Sequence, residues 1–207
     1  MYVPPRFQEQ DWEKQAAFIR ANSFGQLVTT EQGLPVVTHL PLELELHPDG
    51  YPVLLGHISR ANPQGQAIVA GERALAVFHG PHAYVSSSWY EAENVPTWNY
   101  IAVHVYGTLR LLGDDELLAA LGRITDRYEA GRPGAVSVSR MSPAYVTRQL
   151  RGVWGFELRV EDVQAQYKLS QNRHDADHEH IISHLAASGD AQAAAIAAAM
   201  AENRPPA

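Results

Sequence analysis

The strongest constraint on the fold is the stretch of residues 98–112, in which two classes of side chain alternate. The odd positions are mostly aliphatic, namely Ile101, Val103, Val105, Leu109 and Leu111. The even positions are aromatic or polar, namely Trp98, Tyr100, His104, Tyr106, Thr108 and Arg110. Because successive side chains of a strand point to opposite faces of a sheet, this alternation predicts a long β-strand with one face in a core. The aromatic face then needs a partner of its own.

Shorter apolar runs predict further strands, at residues 25–30, 34–46, 51–58, 74–79, 83–89 and 153–160, the last continuing to residue 170. Helical spacing predicts helices at residues 7–20, 63–70, 114–130 and 142–150, and two more after residue 174. Most of the strands are joined by hairpin-type turns. The sequence therefore predicts a mainly β fold with flanking helices (α+β), an antiparallel barrel rather than a doubly wound sheet.

Composition and charge limit the classes of function. The chain has 207 residues and a formal net charge of -7, which opposes broad binding to DNA because such binding depends on Lys and Arg. It has no cysteine, which excludes disulfides and thiolate sites and fits a reducing compartment. The first residues do not resemble a secretory signal, and no apolar run approaches the roughly 20 residues that span a bilayer. We therefore expect a cytoplasmic protein that does not enter a membrane.

Basic and hydroxyl side chains recur in separate loops and form a candidate phosphate site. Phosphate is bound by charge-assisted donors together with hydroxyl or backbone groups. The candidate residues are Arg60, Asn62, Ser86, Ser87, Lys168, Ser170 and Arg173. They lie far apart in sequence, so the competing interpretation is a set of unrelated surface residues.

Aromatic residues form a second candidate group, namely Trp89, Tyr90, Trp98 and Tyr100. Such rings can stack on a planar ligand while Asn99 binds its polar edge. Tryptophan and tyrosine are also enriched at subunit interfaces. A cofactor bound at a dimer interface would satisfy both interpretations.

Histidines suggest a metal site, but the pattern is weak. Those on or beside predicted strands, at positions 39, 57, 79, 82 and 104, are more typical of structural histidines than of ligands. In the C-terminal run HDADHEHIISH, His174 and His178 are four residues apart, as are His180 and His184. An acidic, histidine-rich helix start is equally typical of a solvated helix end. We predict no metal site and assign no catalytic residue.

Several longer motifs resemble those of one family. They are MYVPPRF at the start, THLPL at residues 38–42, GHISRANPQ at 56–64, FHGPHAYVSSSWY at 78–90, VPTWNYIAVHVYG at 95–107 and KLSQNR at 168–173. In this order they resemble the PaiB-like family of FMN-binding negative transcriptional regulators. The resemblance covers residues 1–173, which predicts a split-barrel domain with inserted helices there and a C-terminal helical extension at 174–207.

The resemblance implies an FMN-binding split β-barrel that forms a homodimer with flavin at the subunit interface. It implies that Arg60 and residues 168–173 help to hold the flavin phosphate. It also implies a regulatory role, which we expect to be indirect. Two alternatives stay open at this point: a flavin-dependent oxidoreductase, with His57 or His104 as a proton donor, and a haem-binding split barrel.

Overall fold

The computed structural model describes residues 1–204, in which eight strands and six α-helices follow the polar and apolar patterning of the chain. The strands are β1 (Gln8–Glu9), β2 (Phe24–Glu31), β3 (Leu34–Pro41), β4 (Glu43–Leu46), β5 (Pro52–Ser59), β6 (Arg73–Val85), β7 (Thr97–Leu111) and β8 (Val153–Lys168). The helices are α1 (Trp12–Ala21), α2 (Gly65–Ala70), α3 (Asp114–Glu129), α4 (Pro143–Leu150), α5 (Asp175–Ala187) and α6 (Ala191–Glu202). The sheet order is β3-β2-β6-β7-β8-β5-β4, and β1 pairs with β8.

The described chain divides into two compact units. The first unit contains Met1–Phe18, Phe78–His104 and residues 164–204. The second unit contains Ile19–Val77 and Val105–Val163. The predicted division of the chain at residue 173 stays a prediction.

The core of the second unit lies between its strands and α3. Leu54, Leu158 and Phe156 come from the antiparallel pair of β5 and β8 and are fully buried. The helix α3 packs Leu117 and Ala120 against Val53, Leu55 and Leu112. Helical spacing predicted an apolar stripe of Leu117, Leu118, Leu121 and Ile124 on this helix. Leu117 is buried and Leu121 packs partly buried against the same core, whereas Leu118 is 37% exposed and Ala120 is buried beside Leu117.

The core of the first unit joins β6, β7 and the last two helices. Phe78, Val85 and Val103 are fully buried on the strands, and Ile181 and Ile196 are fully buried on α5 and α6. The alanine-rich helix α6 therefore packs through its few large side chains. The predicted alternation of β7 is also present, since its odd positions from Asn99 to Leu109 are buried and Trp98 is exposed.

Three strand predictions were wrong in their boundaries. The two strands predicted at 74–79 and 83–89 form the single strand β6, which ends at Val85. Pro81 is tolerated within it because the pairing of β2 with β6 extends only over Leu75, Ala76 and Val77. The predicted strand 34–46 is interrupted at Leu42, because the chain changes its partner there: β3 pairs with β2, whereas β4 pairs with β5.

Two helix predictions were displaced at their starts. The first helix begins at Trp12 rather than near residue 7, and the Asp11 carboxylate accepts a hydrogen bond from the Glu13 N–H at 2.9 Å. The helix α2 begins at Gly65, two residues after the predicted start. In residues 1–204, no helix is both long enough and apolar enough to cross a membrane.

Candidate functional site

In the second unit, the loop that follows β5 is fixed to β2 and β3 by one buried amide. The Gln64 side-chain nitrogen lies 3.2 Å from the Leu27 carbonyl oxygen, 2.9 Å from Thr29 Oγ1 and 3.0 Å from the Val36 carbonyl oxygen. Gln64 is 2% exposed. Because an NH₂ group shared among three acceptors in the interior is held firmly, this loop is positioned by the strands beneath it.

Asn62 extends this attachment toward the surface. Its Nδ2 donates to Thr38 Oγ1 at 2.8 Å, and its Oδ1 accepts from the Gln64 N–H at 3.0 Å. Asn62 thus orders the turn that leads into α2, although Gln64 rather than Asn62 occupies the position before the first helical residue. Asn62 on the loop and Thr38 on β3 therefore place two polar side chains together.

Arg60 stands at the start of the same loop and is held without a carboxylate partner. Its guanidinium carbon lies 4.1 Å from the centroid of the Trp154 ring, and its Nε donates to the Val153 carbonyl at 3.1 Å. No ion pair of Arg60 occurs within residues 1–204. The guanidinium is held over the ring, and its terminal N–H groups do not bind a carboxylate. Such an arrangement suits the binding of an external anion.

Gly65 allows the ring beneath Arg60 to lie where it does. A Cβ atom at this position would lie 2.7 Å from atoms Cδ1 and Nε1 of Trp154. Trp154 would then have to shift and carry Arg60 with it. Sequence patterning placed Trp154 only within the predicted strand at residues 153–160, so its role as a support for Arg60 was missed.

In the first unit, residues 168–173 form a tight turn after β8. The Arg173 N–H donates to the Ser170 carbonyl at 3.0 Å, and Ser170 adopts a positive φ of 61°. Ser170 Oγ donates to Asn99 Oδ1 at 3.0 Å, and both residues are buried. A non-glycine residue in this region of backbone conformation carries strain, which the buried hydrogen bond helps to offset.

The turn brings together two of the predicted cations. Lys168 Nζ donates to Thr97 Oγ1 at 2.5 Å, and the Arg173 guanidinium carbon lies 4.6 Å from the centroid of the Tyr90 ring. Burial lowers the pKa of Lys168, and the positive charge of Arg173 lowers it further. Neither cation pairs with a carboxylate of the described chain.

Helices α5 and α6 pack on the segments that carry this turn. Asn99 Nδ2 lies 3.4 Å from Met200 Sδ, and the Glu91 N–H donates to Asp177 Oδ1 at 2.9 Å. The ring of His184 stacks on Trp89, with centroids 4.8 Å apart and planes 10° from parallel. The sequence offered His184 as a metal ligand, whereas its observed neighbour is an aromatic ring. Across residues 1–204, no group of three His, Asp or Glu side chains is placed to hold a metal ion.

The predicted aromatic residues Trp98 and Tyr100 lie on the face of β7 opposite Thr97 and Asn99. Trp98 is 53% exposed and lies 5.8 Å from the Tyr84 ring, centroid to centroid. A cavity of about 400 Å³ opens beside them. It is lined by His79, His82, Trp98, Tyr100 and His104, among others. The face that carries Trp98 and Tyr100 and the Lys168 turn are therefore separate features of the first unit, whereas Tyr90 of the predicted aromatic group lies against Arg173 of the turn.

The remaining two predicted residues have local roles. Ser86 Oγ accepts from the Ser88 N–H at 3.2 Å and caps the short 3-10 turn Ser87–Trp89. The Ser87 carbonyl accepts from the Tyr90 N–H at 3.4 Å. In the described chain, no hydrogen bond links Ser86 or Ser87 to Lys168, Ser170 or Arg173.

Three histidines should make the protein less stable in mild acid. Burial lowers the pKa of His57, of His104 and of His178, with a further decrease for His178 from Arg204. Below a pH of about 6.5 the unfolded chain binds protons that the folded chain does not. The free energy of unfolding should therefore be constant above that pH and fall as the pH drops toward the folded-state pKa values. Urea unfolding at several pH values measures this free energy. His178→Gln should reduce the slope of the free energy of unfolding against pH below about 6.5. Higher stability in acid would contradict the lowered pKa values of these histidines.

Comparison with known proteins places the chain in a family. A family model described as "Putative FMN-binding domain" matches residues 1–162. The chain is 46% identical over 185 residues to the "Protease synthase and sporulation protein PAI 2" of Bacillus subtilis, covering 89% of each sequence.

Two solved structures share the fold. The FAD and heme binding protein of Mycobacterium smegmatis has a TM-score of 0.60 at 18% identity, over 78% of this chain and 73% of that one. The flavocytochrome Anf3 of Azotobacter vinelandii has a TM-score of 0.63 at 15% identity, over 80% and 72%. The predicted fold class is confirmed. The chain belongs to the family described as "Putative FMN-binding domain" and has the mainly β, antiparallel split-barrel fold with flanking helices that its sequence predicts.

Proposed function

We propose that this protein binds FMN and that Arg60 and Asn62 hold the phosphate group. One observation carries the proposal. The Arg60 guanidinium is held in place by the Trp154 ring and the Val153 carbonyl, but it has no carboxylate partner in residues 1–204. Arginine offers two parallel N–H donors to a phosphate, and Thr38 and Asn62 add hydrogen-bonding groups beside it. FMN, when bound, supplies redox chemistry at its ring system.

The fit between the loop and a phosphate rests on rigidity as well as on charge. The Gln64 amide fixes the loop from below, and the Arg60 N–H donates to the Gly152 carbonyl at 2.9 Å. A preorganised loop loses little conformational entropy when it binds an anion. The protein therefore supplies position and charge, and the cofactor supplies electron transfer.

The other predicted cofactor contacts are part of the same proposal. They are Ser86, Ser87, Trp98, Tyr100, Lys168, Ser170 and Arg173. We propose that the exposed aromatic face of β7, which includes Trp98 and Tyr100, lies at a homodimer interface where flavin is bound. The 53% exposure of Trp98 and the 48% exposure of Tyr84 support an interface, because large aromatic side chains that remain exposed in one chain often become buried in an assembly.

The purified protein should carry flavin and sediment as a dimer. Untreated protein, or protein incubated with FMN and then desalted, should show the visible absorption bands of bound oxidised flavin. Sedimentation equilibrium should give about twice the mass of the 22.8 kDa chain. Colourless protein that takes up no FMN would contradict flavin binding, whereas coloured protein of single-chain mass would contradict only the interface.

We propose that the protein acts in the cytoplasm and that any regulatory role proceeds through a ligand or a protein partner rather than through direct DNA binding. The formal net charge of -7 supports this, since direct DNA binding draws most of its affinity from Lys and Arg. A mobility-shift experiment with promoter DNA tests it. A sequence-specific, salt-sensitive shift by the purified protein would contradict an indirect role.

A further inference from the structure

Residues 130–152, here called the arginine segment, differ in charge from the rest of the chain. They include Arg132, Arg140, Arg148 and Arg151 and no acidic residue, whereas the whole chain has 23 acidic and 16 basic residues. All four arginines are exposed. A local concentration of one charge on a protein of opposite net charge attracts a partner that complements it. The arginine segment therefore favours a negatively charged partner.

The fold does not neutralise these four arginines. Within residues 1–204 none of them pairs with a carboxylate. Three other arginines of the same unit, Arg110, Arg123 and Arg127, each pair with a glutamate. Carboxylates are thus present in this unit, but they pair with other arginines. The positive charge of the arginine segment is left to solvent or to a partner.

An apolar groove lies beside the arginine segment, within the same unit. It has a volume of about 450 Å³ and is lined by residues of α3, of α4 and of the chain between them. Its larger apolar side chains are Leu118, Val138, Met141, Val146 and Leu150. Leu118 is exposed, and no residue from 130 to 152 is buried. The fold therefore leaves these apolar side chains partly uncovered, as is typical of a surface that binds a partner.

Two of the arginines border this groove. Arg140 stands in the chain between Ser139 and Met141, which both line the groove. Arg151 follows the lining residue Thr147 by four positions at the end of α4. Residues four apart on a helix are neighbours on its surface, so Arg151 lies beside the residues of α4 that face the groove. The arginine segment thus combines an apolar groove with positive charge at its border.

We propose that the arginine segment and its groove bind a peptide segment of a partner protein that carries both acidic and apolar side chains. Acidic groups of the partner pair with Arg140, Arg148 and Arg151, and an apolar side chain fills the groove. Asp126 lines the groove from α3, so the acidic groups of the partner lie on the side of α4. The proposal rests on the indirect regulatory role proposed above, because it names the chemistry of the protein partner.

Two other polyanions match these observations less well. Duplex DNA would contact the arginines through its phosphates and would leave the apolar groove uncovered. An anionic membrane is entered by apolar side chains that protrude, whereas Val146 and Leu150 line a groove. A protein segment supplies negative charge and a protruding apolar side chain together, so it complements both features of this surface.

A random peptide library tests the proposal without assuming a particular partner. Short peptides displayed on phage are selected on the immobilised whole protein, and the selected peptides are then synthesised with a fluorescent label. We expect the selected peptides to be rich in Asp and Glu and in large apolar residues. Their affinity, measured by fluorescence anisotropy, should fall as the salt concentration rises, because exposed ion pairs are screened.

Variants locate the binding surface. Arg140→Gln and Arg151→Gln should each weaken binding of the selected peptides by about two- to fivefold, the effect of losing an exposed ion pair. Leu118→Gln should weaken it by about fivefold, because the groove loses apolar surface. Arg73→Gln is the matched control, since Arg73 is an exposed arginine of the same unit that pairs with Glu161 at 3.1 Å, and it should change nothing. Unchanged urea unfolding of each variant serves as the check on folding.

The outcomes separate this proposal from the indirect role on which it rests. Selected peptides that lack acidic or apolar residues, or that bind equally to the wild type, Arg140→Gln, Arg151→Gln and Leu118→Gln, would overturn the proposal. If duplex DNA binds through these arginines, this proposal and the indirect role are both wrong. If neither peptides nor DNA bind, only this proposal is wrong. Binding to phosphatidylglycerol vesicles alone would identify a membrane as the partner and would also overturn it.

Discussion

Arg60→Ala is expected to weaken FMN binding by about 1.5–3 kcal/mol, or roughly 10- to 150-fold, because it removes a charged hydrogen-bond donor from the phosphate. The loss should be confined to FMN. Riboflavin lacks the phosphate, so its affinity should be the same for the variant and the wild type. Equilibrium titration of flavin fluorescence against each protein measures both affinities.

The second unit offers a close control for this substitution. The Arg148 guanidinium also lies over an aromatic ring, 5.3 Å from the centroid of Tyr145, and Arg148 is exposed. Arg148→Ala removes the same charge and a similar ring contact, and we expect no change in FMN affinity. If both variants lost the same FMN affinity, the effect would come from net charge. That result would contradict a place for Arg60 in the phosphate site.

Gly107→Ala is expected to lower the free energy of unfolding by about 3 kcal/mol. A Cβ atom at Gly107 would lie 1.9 Å from the Arg159 carbonyl oxygen, which is backbone and cannot rotate away. The strands β7 and β8 would have to separate at this point. Urea unfolding monitored by tryptophan fluorescence measures the change.

Gly122→Ala is the matched control because it adds the same methyl group to a glycine with nothing within 4 Å of its Cβ position. Gly122 lies inside α3, where alanine favours the helix by up to about 1 kcal/mol. The two substitutions should therefore change stability in opposite directions. A stable Gly107→Ala protein with an unchanged unfolding midpoint would contradict the close approach of β7 and β8.

Local patterning explains why much of the fold could be predicted. The alternation in β7 reflects a strand with one buried face, and Val103 and Val105 are indeed fully buried while Trp98 is exposed. Helix α3 was predicted nearly to its ends, at 114–130, because its apolar spacing is a local signal. The predicted cap, Asp114 or Asp115, was wrong, since the capping position is Gly113, whose N–H donates to Glu116 at 2.8 Å. These signals are contained within one element and need no knowledge of its neighbours.

Motifs that identified the family also have local physical reasons. In GHISRANPQ, a Cβ atom on Gly56 would lie 2.7 Å from the Phe156 ring, so only glycine fits. The same motif contains Asn62, which donates a hydrogen bond to Thr38, and Gln64, whose side-chain amide donates to β2 and β3. The residues of this motif therefore serve one anchored loop, and the motif could be recognised from the sequence without the structure of the loop.

The site could be predicted only in part, because its contacts join distant segments. Arg60 lies on Trp154, and Lys168 bonds to Thr97, 71 positions earlier in the chain. Neither Trp154 nor Thr97 differs in type from residues that only complete a strand. The predicted set also combined Trp98 with Lys168, whereas the Lys168 contact, Thr97, lies on the opposite face of β7. Periodicity assigns a face to each residue, but it does not show which distant segment covers that face.

We propose that a fixed cation of this chain, Arg60, recognises the phosphate of a flavin. The ratio of the wild-type affinities for FMN and riboflavin, measured in one buffer without phosphate, tests it most directly. We predict that FMN binds at least about tenfold more tightly, as a charged hydrogen bond to the phosphate requires. Equal affinities, or binding of neither flavin, would contradict the claim.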